Sequence, residues 1–120
     1  MKIQILPLVA GAQKATGLTV IIDVFRAFSL EAYMYASGAK KVIPVKTVED
    51  ALALKKENPS YILVGERKGI KVEGFDYGNS PSEFVGVDLS GKTLIHTTSA
   101  GVLGLASAVN ASQIVAGALV

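Results

Sequence analysis

The sequence predicts an α/β fold, a mostly parallel sheet with flanking helices built from βαβ units. Three observations lead there. Short, β-branched apolar runs recur at residues 18–24, 41–45, 61–64, 92–97 and 113–116. Helix-forming stretches separate most of them at the spacing of βαβ units. Polar clusters follow the apolar runs instead of interrupting them, as expected where ligands bind beyond the carboxyl ends of parallel strands.

Residues 2–6 (KIQIL) alternate apolar and polar, the pattern of a half-buried strand. Residues 7–17 read as a loop with Pro7, Gly11 and Gly17. Residues 18–24 (LTVIIDV) are apolar apart from Thr19 and Asp23, which predicts a central strand covered on both faces. Helix formers fill residues 26–37, and Gly38 supplies the stop. Residues 41–45 (KVIPV) form the next strand, with Pro44 favouring a sheet edge or a strand end. Thr47 opens a helix as N-cap, with Glu49 and Asp50 in its first turn, and Asn58-Pro59 closes it. A strand at 61–64 leads into a long Gly-punctuated loop, 65–84, in which Ser80-Pro81-Ser82-Glu83 reads as the start of a short helix. A strand at 92–97, a helix at 99–109 and a strand at 113–116 complete the pattern. That last strand has no helix after it, so the chain reads as a portion of a larger α/β fold, with an unsheltered edge that a homo-oligomer would cover.

At 120 residues the chain is a single domain, 1–120, with one core. The net charge is +2 and the basic residues are scattered, so no nucleic-acid stripe is formed. There are no cysteines, which excludes disulfides and zinc–thiolate sites. No apolar run reaches the roughly 18 residues of a membrane span. Gln4 and Pro7 interrupt the apolar start, so it is read as a strand and not a signal peptide, and a cytoplasmic location is expected.

Candidate chemistry sits at strand ends. Asp23 closes an apolar strand, where a carboxylate needs a partner or a cation. It can pair with Arg26, cap the following helix, or bind Mg²⁺ through its oxygens. Arg26 can hold an anion bidentately or pair with Asp23. Glu66 and Arg67 are adjacent and point apart, so they do not simply neutralise each other. Asn79-Ser80 can cap the helix at Pro81 or face a ligand. Thr97-Thr98-Ser99 leads into a helix start, where N–H groups favour anions. Asp76 fits a turn residue, and His96 a satisfied residue inside its strand. No phosphate loop, nucleophile elbow or metal-spaced histidine pair occurs, which disfavours a nucleotide-binding domain.

VIIDVFRA (20–27), GAKKVIPVKTVEDA (38–51), LVGERKG (63–69), GFDYGNSPSEF (74–84) and HTTSAG (96–101) resemble, in order and spacing, the 2-phosphosulfolactate phosphatase family. The resemblance implies an α/β fold and Mg²⁺-dependent hydrolysis of a small phosphate monoester bearing carboxylate and sulfonate, a step in coenzyme M biosynthesis. It implies Asp23 and Glu66 as catalytic metal ligands, Arg26 and Arg67 on phosphate or sulfonate, and Asn79, Ser80, Thr97 and Thr98 as donors to substrate oxygens. The sequence departs from the family pattern at Phe28, Ser29 and Leu30, where threonines are usual. Ser99-Ala100-Gly101-Val102 stands for Thr-Asn-Gly-Thr, and Lys68 replaces a small residue. The family's chains also run well beyond this length. The alternative is a non-catalytic anion-binding or assembly module that keeps the fold.

Overall fold

The computed structural model describes residues 1–120 and places them in two sheets joined by helices. The larger sheet contains β2 (Lys41–Pro44), β5 (Thr93–Thr97), β3 (Ile62–Arg67) and β4 (Ile70–Lys71), in that spatial order. β2, β5 and β3 are parallel and β4 is antiparallel to β3. The smaller sheet is the parallel pair β1 (Gly17–Ile22) and β6 (Ala111–Gly117). The helices α2 (Ala27–Ala36) and α4 (Gly101–Ser107) each connect one sheet to the other. The expected α/β class with a mostly parallel sheet is therefore present.

The core follows from this layering. Leu30 and Met34 of α2 pack with Val64, Leu94, Leu89 and Phe84 on one face of the larger sheet. Ala51 of α3 (Val48–Glu57) packs with Leu63, Ile95 and Phe75 on the other. Successive strand residues thus serve opposite faces, as the pleat requires. A third cluster, Ala27, Phe28 and Val102, joins α2 to α4, with Ile21 of β1 against it.

Local signals placed several elements well. The Thr47 hydroxyl accepts from the Asp50 N–H at 3.0 Å and caps α3. Pro44 lies on edge strand β2, where a missing N–H is tolerated. Pro81 opens a single 3-10 turn, Pro81–Phe84.

Other elements differ from expectation. Residues 1–6 are unpaired and exposed, because no strand lies beside them to complete a ladder. The stretch read as a loop contains a short helix, α1 (Leu8–Lys14), entered from Pro7. Its Gly11 packs so closely on Leu6 that a Cβ would lie 2.5 Å from the Leu6 carbonyl carbon. β1 is not covered on both faces: Leu18, Val20 and Ile22 are exposed, and only the alternate residues pack inward. The helix read from residue 99 begins at Gly101, because Ser99 is held elsewhere.

The segment 65–84 is not one long loop. β3 runs on to Arg67 and turns back through Lys68-Gly69 into β4. Both turn residues have positive φ, 54° and 79°, the geometry of a type I′ hairpin, which favours Asn-Gly. Lysine is strained there. Lys68→Asn is expected to raise the unfolding free energy by about 0.5–1 kcal/mol, measured by urea denaturation; an unchanged or lower midpoint would count against the strain.

Candidate functional site

The segment 97–102, which leaves β5 and enters α4, organises the polar residues at the carboxyl end of the sheets. Each candidate cluster meets this segment or the residue before it.

Glu66, at the end of β3, is buried and reaches across to Ser99. Its Oε1 accepts from the Ser99 N–H at 2.7 Å, and its Oε2 accepts from the Gly69 N–H at 2.7 Å and the Ser99 hydroxyl at 3.1 Å. This clamp closes the β3–β4 turn onto the start of α4 and keeps Ser99 out of the helix. Burial pushes the Glu66 carboxyl up, but the donors from Ser99 and Gly69 and the Arg67 charge outweigh it and hold the group below its ordinary value.

The sign is that of a depressed carboxyl. Glu66 adds stability above the unfolded-state value, about 4.3, and that contribution fades as pH falls through the lowered value. In metal-free buffer, unfolding free energies measured from pH 7 down to 3 should drop less steeply for Glu66→Gln than for the unmodified chain. Superimposable acid limbs would refute this role.

Arg67 points to the opposite face of β3. Its Nη1 donates to the Glu66 carbonyl at 2.7 Å, and its Nη2 donates to the Thr97 hydroxyl at 2.8 Å and the Lys46 carbonyl at 3.3 Å. Thr98 is buried and its hydroxyl accepts from the Val102 N–H at 3.1 Å, steadying the first turn of α4.

Asp23 follows β1 directly. Its N–H extends the ladder to the Gly117 carbonyl at 3.1 Å, and its carbonyl accepts from Phe28 N–H at 3.3 Å. The carboxylate lies against Gly101, where a Cβ would stand 2.3 Å from Oδ2. It forms no ion pair with Arg26; the ion pairs of the molecule are Lys55–Asp76 at 3.9 Å and His96–Glu31 at 2.9 Å. Arg26 is half-buried at the residue preceding α2, and no hydrogen bond ties it to the 97–102 segment.

Asn79 is buried beside His96, its Oδ1 3.3 Å from Nε2 of the ring. The flanking backbone is held by Glu83, which accepts from Gly78 N–H at 3.0 Å and Ser80 N–H at 3.3 Å. The Ser80 hydroxyl lies 2.8 Å from that of Ser82. Asp76 is structural: its Oδ2 accepts from the Leu63 N–H at 2.7 Å.

A model of the 2-phosphosulpholactate phosphatase family matches residues 6–120. The chain belongs to the 2-phosphosulfolactate phosphatase family. Curated relatives named "Probable 2-phosphosulfolactate phosphatase" include those of Bacillus subtilis, 40% identical over 81% of this chain and 42% of its own length, and Carboxydothermus hydrogenoformans, 46% identical over 84% and 42%. That of Clostridium tetani is 45% identical over 84% and 44%. The chain thus spans less than half the length of the relatives it matches.

Within this member of the 2-phosphosulfolactate phosphatase family, segment 97–102 connects all the motif clusters: Asn79 to its preceding residue His96, Arg67 to Thr97, Glu66 to Ser99, and Asp23 to Gly101. Sequence reasoning did not find Glu31 as the partner of His96 or Glu83 as the residue that holds the Asn79 loop. The spacing Ser80…Glu83 carried a signal for Glu83, a capping box. Glu31 carried none, since it meets His96 across 65 positions of sequence.

Carboxylate oxygens are the donor type that Mg²⁺ takes. That ion is usually held by one or two carboxylates and keeps several waters. The Asp23 carboxylate accepts no hydrogen bond from the protein, whereas Glu66 uses three of about four lone-pair sites and keeps about one. No three His, Cys, Asp or Glu side chains converge as a preformed cage.

Proposed function

We propose that the chain forms part of a Mg²⁺-dependent phosphatase that converts 2-phosphosulfolactate to sulfolactate and phosphate, a reaction that belongs to coenzyme M biosynthesis. The observation that carries the reading is the grouping of two carboxylates, an arginine and hydroxyls around residues 97–102, in a chain of this family. Hydrolysis joins a water oxygen to phosphorus and breaks the ester P–O bond; the sulfolactate oxygen leaves with its electron pair and takes up a proton. Such a reaction needs charge neutralisation, fixed donors and an oriented nucleophile.

Asp23 and Glu66 would hold Mg²⁺, which when bound offsets charge on the phosphoryl oxygens. Arg67 spends three of its five N–H donors within the protein and has the others for a phosphate or sulfonate. Arg26 is unpaired and serves as the second cationic clamp. Asn79 and Ser80 orient substrate oxygens, while Thr97 and Thr98, both buried, act from beneath by holding Arg67 and the first turn of α4.

Incubation with Mg²⁺ and 2-phosphosulfolactate, followed by assay of free phosphate, tests the reading. Release that stops on chelation is expected. The second reading, a non-catalytic anion-binding or assembly module, draws on the lack of any preformed three-ligand cage. Folded protein that binds phosphate but never releases it from the ester would establish that alternative.

Self-association belongs to the same proposal. β6 pairs only with β1, and Ile114 and Val115 are exposed, so a second copy is expected to cover this region. Sedimentation at high concentration should show a dimer or larger species, and a strict monomer would contradict it.

A further inference from the structure

The turn that joins β3 to β4 holds a lysine where asparagine or glycine is favoured. Lys68, with φ 54°, and Gly69, with φ 79°, stand beyond the last ladder pair, Arg67–Ile70. A residue in such a conformation persists only where its surroundings over-determine it. Here both N–H groups of the turn are tied. That of Lys68 donates to the Ser99 hydroxyl at 3.1 Å, and that of Gly69 donates to Glu66 Oε2 at 2.7 Å. The Ser99 hydroxyl in turn donates to Glu66 Oε2 at 3.1 Å. The clamp around Glu66 therefore also fixes the Lys68 backbone at the carboxyl edge of the sheet.

The side chain is left free. Lys68 is exposed, and its ammonium enters neither ion pair of the molecule, Lys55–Asp76 or His96–Glu31. Arg67 also stands outside both pairs, and its Nη2 reaches the Thr97 hydroxyl at the end of β5 and the Lys46 carbonyl just past β2. Two adjacent cations thus end β3. Lys68 lies past the end of the ladder, so its flexible four-carbon stem is not confined to one face of the sheet. Charge is laid out unevenly along residues 97–102. Asp23 meets this segment at Gly101, whereas Arg67 meets it at Thr97 and Lys68 at Ser99.

We propose that Lys68 is a specificity-determining residue: it donates to an anionic group of the substrate other than the phosphoryl group, namely the sulfonate, while the phosphoryl group lies toward Asp23. The inference rests on the phosphatase reading and divides that site into two ends. Sulfonate oxygens only accept, and an ammonium brings three rotatable donors to them. The strained turn holds the lysine there at a cost in stability, so the substitution that relaxes the turn, Lys68→Asn, should gain stability and lose substrate preference together.

The test compares two esters on the full chain. 2-Phospholactate keeps the phosphate and carboxylate of 2-phosphosulfolactate and lacks the sulfonate. Preference for the sulfonated ester is read twice, as a ratio of kcat/KM values with Mg²⁺ and as a ratio of Kd values by calorimetry in chelating buffer. Lys68→Met should lower this preference about tenfold, the loss of one hydrogen bond between charged partners. Lys68→Asn should lower it as far while raising the urea midpoint, and Lys68→Arg should retain it.

An unchanged preference in Lys68→Met, or equal losses for the two esters, overturns the inference and leaves the phosphatase reading standing. So does a preference that falls in Lys68→Met but not in Lys68→Asn, which would trace the effect to the turn and not to the charge. If the unmodified chain binds both esters and hydrolyses neither, the calorimetric ratio decides the inference alone while the phosphatase reading fails. An unmodified chain that neither binds nor hydrolyses either ester overturns both.

Discussion

On the proposed phosphatase reading, replacing Gly101 by alanine is expected to cut phosphate release about 100-fold, an effect on the scale of Asp23→Asn, although Gly101 carries no chemistry of its own. A Cβ at this position would stand 2.3 Å from Oδ2, 2.8 Å from Cβ and 2.9 Å from Cγ of Asp23. Real Cβ atoms do not approach so closely, so one side must move. Asp23 cannot retreat as a unit, because its N–H is tied to Gly117 and its carbonyl to Phe28 N–H. The carboxylate must swing away from the 97–102 segment, or the first turn of α4 must shift with Val102, which is buried and bonded to Thr98. Either movement separates Asp23 from the Glu66 side of the site. Misplacing a reacting group by about 1 Å can cost roughly 100-fold in rate, and overpacking costs about 1–3 kcal/mol in stability.

Two measurements separate displacement from unfolding. Turnover of Gly101→Ala should fall by that factor while its circular dichroism and denaturation curve still show a folded chain. The stability cost should shrink in an Asp23→Gly background, where the obstructing side chain is gone, and this non-additivity identifies the contact. Wild-type turnover by Gly101→Ala would sink both the geometry and the role given to Asp23.

The same contacts explain what could be read from the sequence and what could not. Elements set by neighbours in sequence were legible: Thr47 caps α3 through Asp50 three residues on, and Ser80-Pro81-Glu83 opens a turn. The strand ends were legible too, because apolar runs that stop at Asp23, Glu66 and Thr97 point their polar ends to one edge. Long-range competition was not. Ser99 looks like a helix start, but Glu66 takes both its N–H and its hydroxyl from 33 residues away. The hairpin at Lys68-Gly69 was hidden because lysine is not a residue that favours positive φ. β1 reads as a covered strand by composition, yet only one of its faces meets the rest of the chain. His96 read as a satisfied interior residue, which it is; its partner Glu31 became visible only when α2 folded against β5.

The largest stability effect is expected from Gly65→Ala, in the middle of β3. Gly65 is paired with Thr97 across the β3–β5 ladder. A Cβ there would lie 2.2 Å from the Thr97 carbonyl oxygen, 3.1 Å from its Cγ2 and 3.2 Å from the Phe75 ring. The nearest obstacle is backbone, not the end of a flexible side chain. Relief therefore requires β3 and β5 to part, which breaks ladder hydrogen bonds and opens the packing of Leu63, Ile95 and Phe75 on one face and of Val64 and Leu94 on the other. The cost should exceed ordinary overpacking and reach about 3 kcal/mol or more, a large fraction of the 5–15 kcal/mol that holds a typical domain together. Denaturant unfolding of Gly65→Ala should show a midpoint far below that of Gly101→Ala. The ranking follows from the obstacles: at Gly101 a carboxylate side chain can yield and function is lost first, whereas at Gly65 the sheet must yield and the fold is lost first. A Gly65→Ala protein as stable as the parent would show that β3 and β5 are not packed as closely as the 2.2 Å approach requires.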